Sequence, residues 1–267
     1  IWDCIRAERG NAMTTAEARI APFHLGARFT PNHKWDRNAF LFLVGLIWLG
    51  VLMGFVPDIL KHLRTGLPFP FIVHVHAALF VGWLLLLTGQ VLLIRARRTN
   101  VHRKLGLVGM AMAPLMVVAG VAASIIVEKT NFGTPLSRPP FLAIEFTDML
   151  AFAGLSGAAL ILRGDTSAHK RLILLATFYI ADAGYSRWLG PSIVHLLGRD
   201  SAGVFSALYL GTDLLLLALG GYDLVTRKRL HPAFVAGSLW ILACQFGGVS
   251  LYRLPEWKPV ALAIIGH

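Results

Sequence analysis

The chain has 267 residues, of which 56% are hydrophobic and only 15% are charged. Charged residues make up about a quarter of an ordinary soluble domain, so this composition excludes water as the main solvent of the protein. The formal net charge of +11 would suggest nucleic acid as the partner of a soluble protein, but here most basic residues adjoin apolar runs. That arrangement is typical of membrane topology, so we expect a lipid bilayer and no nucleic acid as the partner.

Apolar runs of about 20 residues, the length that crosses a bilayer as a helix, follow one another with short polar breaks. In chain order they occupy 38–57, 70–94, 105–127, 141–162, 172–194, 202–225 and 232–251. Asp182 and Arg187 interrupt the fifth run, and Gln245 lies in the seventh. The sequence therefore predicts an all-α integral membrane bundle of about seven transmembrane helices. It divides the chain into a tail at 1–37 and a single transmembrane domain at 38–267.

The distribution of lysine and arginine predicts the orientation of the bundle. Counted on alternate sides of the predicted helices, 17 of the 25 basic residues share the side of the amino-terminal tail, and 8 lie on the other side. Because basic loops stay in the cytoplasm, we predict a cytoplasmic amino terminus in a bacterial inner membrane. The loop with Arg97 and His102 would be cytoplasmic, the segment 128–140 would be outside, and Trp257 would be an interfacial anchor.

Polar side chains lie inside or at the edge of these runs. A carboxylate at the centre of a lipid-facing helix costs about 2.5 to 3.5 kcal/mol, so these groups should face the interior of the bundle. Under the predicted orientation, most of them fall in the half of the membrane away from the cytoplasm. The residues are His74, His76, Gln90, Glu145, Asp148, Asp182, Arg187 and Asp213.

Helical spacing gives each acid a companion. Residues three or four apart share one face of a helix. This relation joins Glu145 with Asp148, Tyr179 with Asp182, and Tyr209 with Asp213. One interpretation is that these groups form hydrogen bonds between helices and only fix the packing.

A second interpretation is a site for a metal, a cation or a proton, because imidazole nitrogen and carboxylate oxygen together suit Zn, Fe or Mn. The candidate metal ligands are His74, His76, Glu145, Asp148, Asp182 and Asp213. His74 and His76 are two residues apart, so they point to different faces of a regular helix. Both could serve one site only if the chain near Pro68 and Pro70 is unwound.

Three loops on the predicted cytoplasmic side join a histidine to basic residues: HRKLG at 102–106, HKRLI at 169–173 and KRLHP at 228–232. Contact with anionic lipid headgroups explains this pattern. The alternative is a shared anionic ligand, such as haem propionates or a quinone headgroup. In that case His102 or His169 would be a ligand or a proton donor.

The succession of His76, Gln90, HRKLG at 102–106 and HKRLI at 169–173 resembles a family of uncharacterised bacterial multi-spanning membrane proteins. Members of that family carry an HRxLG-type loop and an HRRWM-type loop, and they are likened to membrane cytochromes b and ferric reductases. The resemblance covers about 74–188, and the aromatic residue of the second loop is missing here. It implies functional histidines and the possibility of haem b.

Three hypotheses of function follow. The first is a metal-dependent or redox protein, with a divalent metal at His76 and the acids or a single haem between His102 and His169. Stacked haems are disfavoured, since no predicted helix carries a pair of histidines about four turns apart. The second is an auxiliary subunit that packs against a larger membrane complex, and the third is a proton-coupled transporter. The sequence leaves open whether the protein is an enzyme.

Overall fold

The structure is a computed structural model that describes residues 29–64, 66, 68–198 and 200–267. Nearly all of the predicted tail at 1–37 therefore lies outside the described residues. The chain divides at Thr30, and the unit Pro31–His267 contains all of the described helices. These are α1 (Asp36–Leu63), α2 (Phe71–Arg95), α3 (Thr99–Asn131), α4 (Leu142–Ile161), α5 (Thr166–Ile180), α6 (Asp182–Leu197), α7 (Ser201–Arg227), α8 (Pro232–Arg253) and α9 (Trp257–Ile265).

The described residues contain helices and no strand, which confirms the all-α prediction. Six helices are long and apolar enough to cross a membrane: α1, α2, α3, α4 with the 3-10 turn that precedes it, α7 and α8. Their outward surfaces carry many exposed Leu, Ile, Val and Phe side chains, as expected of faces that contact lipid. The protein is therefore a multi-spanning membrane bundle. The seventh crossing and the side of the amino terminus stay predictions.

The fifth predicted run, 172–194, is divided into α5 and α6, with a break at Ala181. Both helices run along α7 in the direction opposite to it. Near the start of α5, Arg171 pairs with Asp223. At the break, the Thr212 hydroxyl donates to the Phe178 carbonyl at 3.0 Å. Because these contacts follow α7 from its end towards its start, α5 and α6 together extend along much of its length.

The break at Ala181 is a kink that is associated with a hydrogen bond from another helix. The residue keeps helical backbone angles, φ −76° and ψ −10°, so the chain is bent and not unwound. The bond from Thr212 inserts a side-chain hydroxyl into the hydrogen-bond ladder of the helix, which is a recognised cause of kinks. Just after the break, Gly184 lies directly against the backbone of Gly50 and Val51 on α1. The donor of this bond, Thr212, lies outside the fifth run, so the local sequence does not indicate it.

Helix packing places α4 and the α5–α6 pair at the centre of the bundle. The α4 helix packs against α3, α5 and α8, and α6 packs against α1 and α7. Phe152 on α4, Phe178 on α5 and Tyr209 on α7 are completely buried. The side chains of the central helices therefore face one another and not the lipid.

The helix α9 closes one edge of the bundle. Trp257, at its start, donates from Nε1 to the Pro140 carbonyl at 2.9 Å and is 9% exposed. It packs in a small core with Leu142, Ala143 and Ala261. The prediction of Trp257 as an interfacial anchor needs correction, because the ring is held inside the protein.

Contacts at the helix ends define two ends of the bundle. We call the end where α1, α3, α5 and α8 begin the basic end. It holds the contact of Arg95, at the end of α2, with Asn38, near the start of α1. It also holds Arg227, the last residue of α7, which pairs with Asp36. The predicted orientation places the basic end in the cytoplasm.

Candidate functional site

Three acids and two tyrosines from four helices meet between the middle of the bundle and the end opposite the basic end. Glu145 and Asp148 lie in the first two turns of α4, Tyr179 and Asp182 flank the kink at Ala181, and Tyr209 lies on α7. We call these five residues the acid cluster. Two of the predicted local pairs, Glu145 with Asp148 and Tyr179 with Asp182, fall within it, whereas Tyr209 is present without its predicted companion Asp213.

The groups of the acid cluster interact with one another. The Asp148 carboxyl is within electrostatic range of Asp182 and Glu145, and it adjoins Tyr179. The rings of Tyr179 and Tyr209 stack at 6.2 Å between centroids, with 19° between their planes. Asp182 is 4% exposed, and both tyrosines are fully buried. Like charges therefore face one another where water is largely excluded.

Several polar atoms in this region are buried without a hydrogen bond of normal geometry among the described residues, although Asp148 and Tyr209 both adjoin Tyr179. Buried polar groups are nearly always paired, so a concentration of unpaired ones marks a place where a ligand, an ion or water completes the bonding. The atoms are His76 Nδ1, Glu145 Oε2, Asp148 Oδ1, Tyr179 OH, Tyr209 OH and Gln245 Oε1. They belong to α2, α4, α5, α7 and α8.

A surface arginine lies within electrostatic range of the acid cluster. Arg187, on α6, is within electrostatic range of Glu145, Asp182 and His76. Its side chain is 43% exposed, and its Nε lies 3.3 Å from Asp58 at the end of α1. The guanidinium is bound at the surface, and among the described residues none of the three buried carboxyls of the cluster forms an ion pair.

The structure separates the predicted metal ligands into three groups. Glu145, Asp148 and Asp182 come together as described above. His76 lies nearby, with its ring stacked on Phe80 at 4.0 Å. Within the part of the chain that the structure describes, no group of three or more His, Cys, Asp or Glu residues could hold a metal ion.

His74 and Asp213 stand apart from the acid cluster. The helix α2 begins at Phe71 and includes both histidines, so His74 points away from His76 and is exposed. Asp213 accepts a hydrogen bond from Gln245 Nε2 at 3.0 Å, which gives it a structural partner. None of the four predicted acids is exposed. This agrees with the expectation that charged side chains avoid the lipid, where they would be costly.

A second polar assembly lies at the basic end, and sequence reasoning missed it. Arg171 is completely buried and donates two bonds to the equally buried Asp223, one of them at 2.7 Å from Nε. Arg227 lies 2.7 Å from Asp36 and 3.5 Å from Asp223. Lys170 completes the set, 2.8 Å from Asp36. We call these five residues the ion-pair network.

The ion-pair network corrects the interpretation of HKRLI at 169–173. Arg171 was expected among residues that contact lipid headgroups, but its side chain has no exposed surface. Its partner Asp223 lies 52 residues further along the chain. A local indication did exist, because Asp223 and Arg227 have the spacing of four residues that favours ion pairs on a helix.

The two histidines predicted as cofactor ligands, His102 and His169, lie near each other at the basic end. Their rings are within electrostatic range, and His102 also adjoins the backbone of Gln90. The prediction placed His102 in a loop, but α3 begins at Thr99 and includes it. The helices α2 and α3, which carry Gln90 and His102, pack directly against each other, and α4 packs against both α3 and α5.

Comparisons with known proteins were made with protein-family models, curated proteins and solved structures. None of the three finds a match to this chain. The resemblance to bacterial membrane proteins with HRxLG-type and HRRWM-type loops accordingly stays a prediction, and the chain is placed by its own structure as an all-α multi-spanning membrane protein.

Proposed function

We propose that the protein is a proton-coupled carrier of the bacterial inner membrane, and that the acid cluster is its proton-binding site. The observation that carries the proposal is the concentration of buried carboxyl and hydroxyl groups around Glu145, Asp148 and Tyr179 whose hydrogen-bonding capacity is not filled by the described residues. Ionisable residues inside a membrane are expensive and commonly mark the path of an ion or a proton. This favours the third of the hypotheses drawn from the sequence.

The chemistry of the cluster suits a proton. Carboxyl groups that share a buried site cannot all carry a negative charge unless a cation or a shared proton offsets it. Asp148 and Asp182 share such a buried site, and Glu145 adds a third carboxyl group to it. The hydroxyl of a tyrosine can both donate and accept a hydrogen bond, so Tyr179 and Tyr209 can pass a proton between the carboxyls and a transported solute.

The surroundings of the cluster suit alternating access. Towards the surface, the exposed pair Arg187–Asp58 overlooks the acids. At the basic end, the buried ion-pair network closes the bundle across α1, α5 and α7. The kink at Ala181 lies between them and next to Asp182. Helices interrupted beside the binding site recur in secondary transporters, and this kink is a milder departure of the same kind.

Infrared difference spectroscopy of the purified protein, recorded on a change of pH, tests the proton site. We expect a carboxylic acid C=O band that disappears in Asp148→Asn and is reduced or shifted in Asp182→Asn. Asp213→Asn is the matched control, since it is also an interior acid but is bonded to Gln245, and its spectrum should keep the band. A band that survives in both Asp148→Asn and Asp182→Asn would overturn the proposal.

Carbodiimide labelling gives a second readout, because these reagents modify protonated carboxyl groups in apolar surroundings. Mass spectrometry should find the label at Asp148 or Asp182 and not at the exposed Asp58. Proteoliposomes loaded with a pH-sensitive dye should acidify under an imposed potential in a manner that Asp148→Asn abolishes. Equal flux through the wild type and Asp148→Asn would count against the carrier function.

A further inference from the structure

We propose that Glu128 and Ser124, both on α3, form the path by which protons reach the acid cluster from the end of the bundle opposite the basic end. The inference rests on the proposed function and adds the route by which its proton-binding site is filled. Glu128 lies in the last turn of α3, at that end. The path joins this surface to Glu145, which lies in the first turn of α4.

Three residues at intervals of four define the face of α3 that carries the path: Gly120, Ser124 and Glu128. Residues four apart share one face of a helix. Gly120 shows where this face points, because a Cβ atom placed on it would overlap the sulfur of Met149 on α4. The face therefore lies against α4, with which α3 packs.

A second contact, nearer the surface, sets the alignment of the two helices. The backbone N–H of Arg138, in the segment that leads into α4, donates to Glu128 Oε2 at 2.9 Å. Two turns further along α3 than the first contact, the contacted residue has moved back along the chain from Met149 to Arg138. The helices α3 and α4 therefore run antiparallel, and one turn forward on α3 corresponds to one turn back on α4.

This alignment places Ser124 level with Glu145, which lies four residues before Met149. The Ser124 hydroxyl donates to the Gly120 carbonyl at 3.0 Å, so its lone pairs can accept a hydrogen bond from a protonated carboxyl group. In agreement with the alignment, the hydroxyl adjoins the side chain of Glu145. Glu145 Oε2 is buried without a hydrogen bond of normal geometry among the described residues, so this carboxyl can pass a proton on to the cluster.

The position of Glu128 suits it to take the proton from water. The residue is 8% exposed and so lies just below the surface, while its charged neighbours Lys129 and Arg138 are exposed. One helical turn, about 6 Å of rise, separates it from Ser124. A proton from water binds the Glu128 carboxylate, crosses by way of the Ser124 hydroxyl to Glu145, and leaves Glu128 ionised again. The route therefore consumes no other reactant.

Time-resolved infrared spectroscopy of the purified full chain tests the path. A laser flash releases protons from a caged compound, and the rise of the carboxylic acid C=O band of the acid cluster is followed. Glu128→Gln keeps an oxygen that can accept from the Arg138 N–H but cannot carry the proton. We expect its band to rise at least about tenfold more slowly and to reach the wild-type amplitude, since positioned proton-transfer groups change rates by about 10²- to 10⁴-fold.

Two further variants serve as controls. Glu256→Gln is the matched control, because Glu256 is an exposed carboxylate that directly precedes α9 at the same end of the bundle. It should leave the rate unchanged, and Glu128→Asp, which keeps a titratable group, should restore most of the wild-type rate. If Glu128→Gln does not fold, Ser124→Ala takes its place and should also give a slower rise to full amplitude.

The possible outcomes separate this inference from the proposed function. A wild-type rate in Glu128→Gln, or in Ser124→Ala where that variant takes its place, overturns the path and leaves the proton site intact. A band whose final amplitude is lost in Glu128→Gln would make Glu128 part of the binding site and would also overturn the path. Absence of the band from the wild type would overturn the proposed function and the path with it.

Discussion

Arg171 is a charged side chain with no exposed surface, held by Asp223, Ser167 Oγ and the Ser167 carbonyl. Removing water from a guanidinium is expensive, and the bidentate carboxylate together with the serine bonds offsets the cost. The pair joins α5 to α7 at the basic end. The bidentate geometry of the pair fixes how the two helices align.

Breaking this pair should strongly destabilise the protein. Arg171→Ala leaves the buried Asp223 carboxylate without its bidentate partner, and we expect a loss of about 3 to 5 kcal/mol in the free energy of unfolding. The exposed pair Arg187–Asp58 is the control, and Asp58→Ala should cost no more than about 1 kcal/mol. Thermal unfolding in one detergent measures both. The double variant Arg171→Met/Asp223→Leu should be more stable than Arg171→Ala, and the opposite order would contradict this account.

Titration of His231 should make the free energy of unfolding depend on pH. The residue precedes α8, and its Nδ1 accepts a hydrogen bond from the Ala233 backbone N–H at 3.1 Å. Burial, and next the nearby Arg171, lower the pKa of His231 below its ordinary 6.5, while Asp165 and Asp223 act in the opposite direction. Below pH 6.5 the unfolded chain therefore takes up a proton before the folded protein does. Stability falls as the pH falls from about 7 towards the folded pKa.

The variant His231→Asn tests the titration of His231 independently of its role as the helix cap. Asparagine is itself a preferred residue before a helix, so the cap on α8 is kept while the titration is lost. We expect a flatter stability curve between about pH 7 and pH 5 than that of the wild type. Denaturation midpoints recorded across that range measure it. A curve with the wild-type slope would assign the pH dependence to other histidines.

At the scale of elements, the crossing of α1 and α6 depends on glycine. Gly54 faces Gly184 so closely that a Cβ on either residue would overlap the backbone of the other helix. Gly50, one turn earlier on α1, receives the ring of Tyr185, whose hydroxyl donates to the Leu46 carbonyl at 2.8 Å. Small residues at a spacing of four allow helices in membranes to approach closely, and packing then stabilises them.

Gly54→Ala should force α1 and α6 apart. A clash with backbone cannot be relieved by a side-chain rotation, so we expect a loss of about 1 to 3 kcal/mol, the range for overpacked interiors. Gly45→Ala, on the same helix, is the matched control because nothing lies within 4 Å of its Cβ position. That change should be neutral or slightly stabilising. Equal unfolding temperatures for both variants would disprove the close contact.

For the whole molecule, the membrane orientation is a prediction that labelling can decide. In a background with Cys4→Ser and Cys244→Ser, single cysteines replace Arg98, in the loop between α2 and α3, and Lys129, in the last turn of α3. The excess of basic residues at the basic end puts that loop in the cytoplasm. An impermeant maleimide should label Lys129→Cys in intact cells and Arg98→Cys only after permeabilisation. The reverse pattern would invert the whole topology.

The sequence by itself determined the class of the protein and most of its helices. The thickness of the bilayer requires about 20 apolar residues per crossing, and this is a local property that can be read from composition alone. Helical spacing likewise placed Glu145 beside Asp148, since three residues along a helix return to the same face.

Only the tertiary structure decided which distant groups meet. The kink at Ala181 depends on Thr212 of another helix, and the burial of Arg171 depends on Asp223. Gln90 comes close to Gly106 because α2 and α3 pack against each other. Such contacts join residues far apart in the chain, and no local periodicity encodes which face of one helix will pack against which face of another. That choice follows from shape, from close approach at glycine and from the need to pair every buried charge.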